Sequence, residues 1–244
     1  GIMAGTKTET IINGLKTEIV RVVTEQLSVK SKEAHHLATA WRQMEEDAVD
    51  EIISLLKKHL STSVITKAKS KSVYPDIKIT NTEGVFAIDI KVSVDSQDPW
   101  YDMARLDTVL EARIHKYVEE WELVIKYRGT DGTFIKAFFN LFREVVGYHE
   151  NSGGVKFRPY DGKIRPKSWN DFEKNIIYWD SEEKYLSGIE TSLKYRWKYN
   201  IVKHLVPKLV EEERAEYKRL FDNPTDIPDE PDEELNGHPD LFSE

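Results

Sequence analysis

The chain has 244 residues, 39% of them hydrophobic and 11% aromatic, which is enough for a domain with a substantial core and excludes wholesale disorder. The absence of cysteine excludes disulfides, thiolate zinc sites, iron–sulfur clusters and cysteine nucleophiles together. The formal charge of −8 sits at one end: residues 211–244 hold 13 acidic and 3 basic side chains, leaving 30 acidic against 32 basic in residues 1–210, a balance compatible with phosphate contact.

No apolar run approaches the roughly 20 residues that a membrane span needs. With no signal peptide at the start, the expectation is a soluble, cytoplasmic protein without membrane contact. Thr8 to about Leu27 reads as a helix, with Ile11, Ile12, Leu15, Ile19, Val22 and Val23 at helical spacing. Ser31 is a plausible N-cap for a second helix running to about Leu60. Then the period changes. Asp76 to Thr80 alternates polar and apolar, as does Phe86 to Ser93, and Asn81-Thr82-Glu83-Gly84 between them is turn chemistry, so a hairpin is expected.

Residues 103–118 are ambiguous between helix and strand-plus-helix. Glu122 to Tyr127 reads as a strand, and Phe134 to Val146 as a largely buried helix. Residues 149–169 are basic and rich in glycine and proline, too long for a plain connector. A helical segment follows to about Glu216, and the proline-punctuated acidic end, residues 223–244, is expected to be disordered. The order of elements predicts an α/β (α+β) domain with a central mixed sheet flanked by helices.

Strand periodicity carries the chemistry. Phe86, Ile88, Ile90 and Val92 share one face of their strand, which must meet the core. Asp89 and Lys91 are neighbours on the other face, and the hairpin brings Asp76 toward Asp89. Two converging carboxylates repel unless a cation lies between them. Hard oxygen ligands of this kind suit Mg²⁺, with Mn²⁺ able to substitute, and a lysine two residues along can stabilise charge that develops on a phosphate or an attacking water. On the second helix, Leu37, Ala38, Trp41, Met44, Ala48, Val49, Ile52, Leu55 and Leu56 form an apolar face, and Glu45 falls near its middle. A carboxylate there is costly unless paired or metal-bound, so Glu45 is a candidate third acid; the alternative is an exposed or arginine-satisfied glutamate.

Tyr74-Pro75-Asp76 followed by Ala87-Ile88-Asp89-Ile90-Lys91 resembles the PD-(D/E)XK nuclease motif, and its local wording is most similar to that of EcoRV-type type II restriction endonucleases. The likeness covers about residues 73–93. It implies a restriction-endonuclease-like core, with residues 1–222 as a single nuclease domain. It also implies that Asp76, Asp89 and Lys91 bind Mg²⁺ and activate water, assisted by Glu45. Decoys are present but incomplete. Asp161-Gly162-Lys163 fits the second half of the motif in turn chemistry, and the Pro-Asp pairs of the tail are followed by no such second half. The histidines show no zinc spacing, and there is no P-loop or dinucleotide fingerprint.

Lys69-Ser70-Lys71-Ser72 directly precedes the first acid, with lysines suited to phosphate and serines to base edges, or else forms a solvated strand. Asn151, Ser152, Gly153, Gly154, Lys156 and Arg158 are the candidates for base recognition, since they offer donors, acceptors and close backbone approach; the alternative is a surface loop. The leading expectation is a type II restriction endonuclease cutting double-stranded DNA at a short palindrome as a homodimer. A structure-specific repair or recombination nuclease of the same superfamily and a non-catalytic DNA-binding module are the alternatives.

Overall fold

Three helices come first: α1 (Lys7–Gly14), α2 (Lys16–Glu33) and α3 (Leu37–His59). The structure, a computed structural model, describes residues 5–33 and 37–205, together with 208, 211, 212 and 215. The acidic tail over 223–244 lies outside the described residues. The helix expected over 8–27 is two helices, broken at Leu15 directly after Gly14, a poor helix former. Ser31 does not cap α3. It lies inside α2, where its hydroxyl accepts from Phe134 N–H at 3.0 Å and ties the helix to the sheet.

The sheet has five strands, β1 (Val64–Lys67), β2 (Ile77–Asn81), β3 (Gly84–Val94), β4 (Glu119–Tyr127) and β5 (Phe134–Leu141), in that spatial order. Only β3 and β4 run parallel; the other pairs are antiparallel, so the sheet is mixed and the class is α+β. The hairpin β2–β3 turns through Thr82 and Glu83, with Asn81 paired to Gly84. Gly84 has φ +133°, and a Cβ there would come within 2.5 Å of the Val118 side chain, so the turn needs glycine. Glu83 then anchors the hairpin to α1 by accepting from the free N–H groups of Lys7 at 2.8 Å and Thr8 at 2.9 Å.

The segment expected as a helix over 134–146 is strand β5 followed by one helical turn, α6 (Phe142–Val145). Its apolar residues serve both faces of the sheet, Ala137 and Phe139 on one and Phe138 on the other, which hides the two-residue period. Pairing with β4 decides the outcome.

The crossover from β3 to β4 carries two short helical pieces, α4 (Leu106–Thr108) and α5 (Ile114–Lys116), joined by a π turn over Val109–Arg113. The 149–169 stretch is not one loop. It builds two small ladders, β6 (Tyr148–His149) with β7 (Gly154–Val155) and β8 (Phe157–Arg158) with β9 (Lys163–Ile164), followed by α7 (Trp169–Glu173) and α8 (Glu182–Asn200).

Helices α1–α3 cover one sheet face through Ile12, Ile19, Val23, Ile52 and Leu56, which meet Phe86, Ile88, Ile90, Leu123 and Phe139. Val145, Trp169 and Phe172 cover Val124 on the other face. A further core joins α8 to the small ladders through Val155, Phe157, Ile164, Trp179 and Ile189. The sheet is therefore the middle of three layers, and Asp89 and Glu122 on its second face are enclosed. No helix among the described residues is long and apolar enough to cross a membrane.

Candidate active site

A cleft of about 650 Å³ opens on the second sheet face, lined by Asp76, Asp89, Lys91 and Glu122 and walled by Glu45, Tyr74, Tyr101, Asp102, Arg113 and Lys163. Antiparallel pairing of β2 with β3 sets Ile77 opposite Ile88, so Asp76, just before β2, arrives beside Asp89 and Ile90. Asp76 Oδ2 accepts from Ile90 N–H at 2.7 Å, and Asp89 Oδ1 accepts from Asp76 N–H at 3.3 Å. The Tyr74–Pro75 peptide immediately before is cis.

The two acids interact strongly. Burial first, and then the neighbouring Asp89 charge, push the Asp76 carboxyl up to about 8. Lys91 lies along the same strand with its ammonium 3.3 Å from Asp89 Oδ2. Burial pulls the ammonium pKa down, but Asp89, Glu122 and Asp76 together more than offset it, so Lys91 stays firmly protonated.

Glu45 comes to the same cleft from α3. Its neighbours Met44, Ala48 and Val49 are buried in the helix–sheet core, while Glu45 itself is half-buried and faces the acids. Burial raises its pKa, and Lys71 and Lys91 act against that rise.

Glu122 has no counterpart in the sequence expectations. It is fully buried on β4, in register with Asp89 of the parallel neighbour β3, so the two carboxylates point to the same side. No Glu122 oxygen has a partner in strict hydrogen-bond geometry; the enclosed Tyr101 hydroxyl faces it closely enough to favour the ionised form. Burial lifts the Glu122 carboxyl to about 8, and Lys91 is the main charge working in the other direction. The available signal was a glutamate on a strand that otherwise reads Trp-Glu-Leu-Val-Ile, where one acid inside an apolar run marks a buried charge.

Fully ionised, Asp76, Asp89 and Glu122 against Lys91 would leave this enclosed group two negative charges in excess. Protons relieve that excess, as the raised carboxyl pKa values reflect. A divalent cation would relieve it at neutral pH without them. Among the described residues, no three His, Cys, Asp or Glu side chains stand together as a metal-ligand group. Asp76 and Asp89 are two adjoining carboxylates which, with water or phosphate oxygens, would fit a Mg²⁺ ion.

The remaining predicted residues are placed around this centre. Lys69, Ser70, Lys71 and Ser72 are exposed on the segment between β1 and β2; Lys71 and Ser72 reach the cleft wall, and the Lys71 ammonium lies 5.3 Å from the Trp41 ring centre. Asn151 and Gly153 are exposed in the β6–β7 turn, where Ser152 Oγ bonds His149 Nδ1 at 2.8 Å. Gly154 is buried, its backbone so close to α8 that a Cβ would fall 2.2 Å from Ser192 Oγ. Lys156 lies over the Trp100 ring at 5.4 Å. Arg158 is buried and bonded to Asp161 through Nε at 3.0 Å. These six residues do not line the acidic cleft.

Lys163 and Asp102 do line it, paired at 2.8 Å, with Arg165 Nη1 2.7 Å from the same aspartate. On the far wall Arg113 lies between Tyr74 and Phe142, its guanidinium 4.0 and 4.6 Å from their ring centres, and both Arg113 and Tyr74 bond Glu120 at 2.5 Å. This clamp holds the backbone just ahead of Asp76.

No family model matches the chain, and no curated protein matches its sequence. Among solved structures, NlaIV restriction endonuclease is similar, with a TM-score of 0.44 and 17% identity over 75% of this chain and 76% of that one.

Proposed function

We propose that the chain is a Mg²⁺-dependent endonuclease that hydrolyses phosphodiester bonds of double-stranded DNA at a short specific sequence, as type II restriction enzymes do. The observation that carries this reading is the convergence of Asp76 and Asp89 from adjacent strands, with the Lys91 ammonium 3.3 Å from Asp89, inside a cleft. Asp76 and Asp89 are the groups that would hold the cation, with Glu45 acting through water. When bound, the cation supplies Lewis acidity toward a phosphate oxygen and a more acidic water. Lys91 contributes a fixed positive charge to the phosphate and the incoming water, and the enclosed sheet face strengthens that contribution.

Substrate binding follows from the walls. Lys71 and Lys163 meet phosphates at the cleft rim, and the Lys69–Ser72 segment follows the backbone. The β6–β7 turn, which carries Asn151 and Ser152, is the element proposed to read base edges. Cutting both strands of a palindrome needs two such centres, and the proposal includes a two-fold symmetric homodimer.

The test is incubation of unmethylated phage DNA with Mg²⁺, with EDTA and Lys91→Ala as controls. Discrete metal-dependent fragments, absent with the variant, are the expected result. Intact DNA with both Mg²⁺ and Mn²⁺ would overturn the sequence-specific reading for common sites.

A further inference from the structure

Glu122 is an anomalous group among the described residues. A carboxyl group with no solvent exposure and only the Tyr101 hydroxyl turned toward it is a costly thing to keep in a fold. A glutamine or leucine would fill the same space at lower cost. It lies on the floor of the cleft, in register with Asp89, and the Lys91 ammonium is the strongest positive influence on it.

Lys91 in turn has three acidic neighbours on this face. Asp89 is the one it pairs with, at 3.3 Å, and Glu122 and Asp76 also act on it. A cation held by Asp76 and Asp89 would repel the lysine and compete for the Asp89 oxygens. Without another anion, the Lys91 side chain would turn toward solvent.

We propose that Glu122 is a positioning residue that holds the Lys91 ammonium over the reacting centre once Asp89 is engaged by a divalent cation. Glu122 is then the counter-ion available to Lys91 in the cation-loaded centre, its proton passing to solvent as the cation's charge arrives. Tyr101 seals this pair from water: its buried hydroxyl faces Glu122, and its ring lies 5.8 Å from the Lys91 ammonium. The inference rests on the nuclease reading of the same cleft. It assigns the floor of that cleft to Lys91 rather than to the cation, in keeping with the absence of a three-acid ligand group among the described residues.

Glu122→Gln, which keeps the shape and removes the charge, is compared with Lys91→Ala and with the double variant. Single-turnover cleavage by Glu122→Gln is expected to fall about 100-fold, while DNA binding in Ca²⁺ stays within about threefold of wild type. If Glu122 acts through Lys91, the double variant is no slower than Lys91→Ala alone. A readout independent of cleavage is the side-chain ammonium NMR signal of Lys91 in the Ca²⁺-loaded protein. It is expected to be sharp and protected in wild type and lost to solvent exchange in Glu122→Gln. Thermal unfolding in EDTA confirms that the variant folds.

An unchanged cleavage rate, a fully additive double variant, or a Lys91 signal indifferent to Glu122→Gln would each overturn the proposal while leaving the nuclease reading standing. A wild-type protein inert with Mg²⁺ and Mn²⁺ removes the reading beneath it. The two failures are told apart by the wild-type lane alone.

Discussion

Strand β3 is enclosed on both faces, but the faces are held together by different physics. Phe86, Ile88 and Ile90 pack into α1–α3 with at most 2% of their surface exposed, and burial of each contributes roughly 1.5–3 kcal/mol. On the opposite face Ala87 and Asp89 are also buried, yet Asp89, Lys91 and the adjacent Glu122 carry charge into that enclosure. The apolar face stabilises the fold; the charged face works against it. Buried acids whose pKa values are strongly raised are a feature of functional sites.

The largest effects expected from breaking this comparison lie on the charged face. Lys91→Ala or Asp89→Asn is expected to reduce cleavage by about a thousandfold or more while the unfolding midpoint falls little, measured by single-turnover assay beside a thermal melt. On the apolar face the pattern inverts. Phe86→Ala is expected to remove about 3–5 kcal/mol of stability in denaturant unfolding, with any loss of cleavage following the loss of folded protein.

A subtler prediction concerns the sign of the Glu122 contribution. Its carboxyl is raised from an ordinary value of 4.5 to about 8 in the fold. Below pH 4.5 both folded and unfolded states are protonated at this group and burial costs little. As pH rises toward 8 the unfolded state ionises freely while the fold resists, so stability from this group is lost. Glu122→Gln is therefore expected to stabilise the metal-free protein by about 1–3 kcal/mol at pH 8–9, with no gain near pH 4. Urea unfolding in EDTA at the two pH values checks it; equal effects at both would contradict the buried-charge account.

The smallest effect belongs to the rim. Lys71→Ala removes an exposed cation at the cleft wall. It is expected to weaken DNA binding in Ca²⁺ by only several-fold and to reduce the salt-dependence slope by about one.

The same contrast explains what could be read from the chain alone. The hairpin was legible because Phe86 to Ser93 alternates cleanly and Asn81 to Gly84 is unmistakable turn chemistry; the resulting pairing brings Asp76 to Asp89. Glu45 was legible as a polar interruption of a helical apolar face. Glu122 was not, since its significance depends on a parallel pairing with Asp89, 33 residues earlier in the chain, which no local pattern announces. Strand β5 was misread because its apolar residues serve both sides of the sheet. Ser31 looked like a cap because serine commonly caps helices, whereas here its hydroxyl serves the distant backbone of Phe134.

The most direct test of the account is the unfolding midpoint of the wild-type protein titrated with Mn²⁺ or Mg²⁺, beside Asp76→Asn and Asp89→Asn. A cation held by the two acids predicts a saturable rise of the midpoint in wild type, growing with the logarithm of cation concentration, and none in either variant. A midpoint indifferent to both cations, or one that rises equally in all three proteins, would contradict the claim that this acid pair is a divalent-cation site.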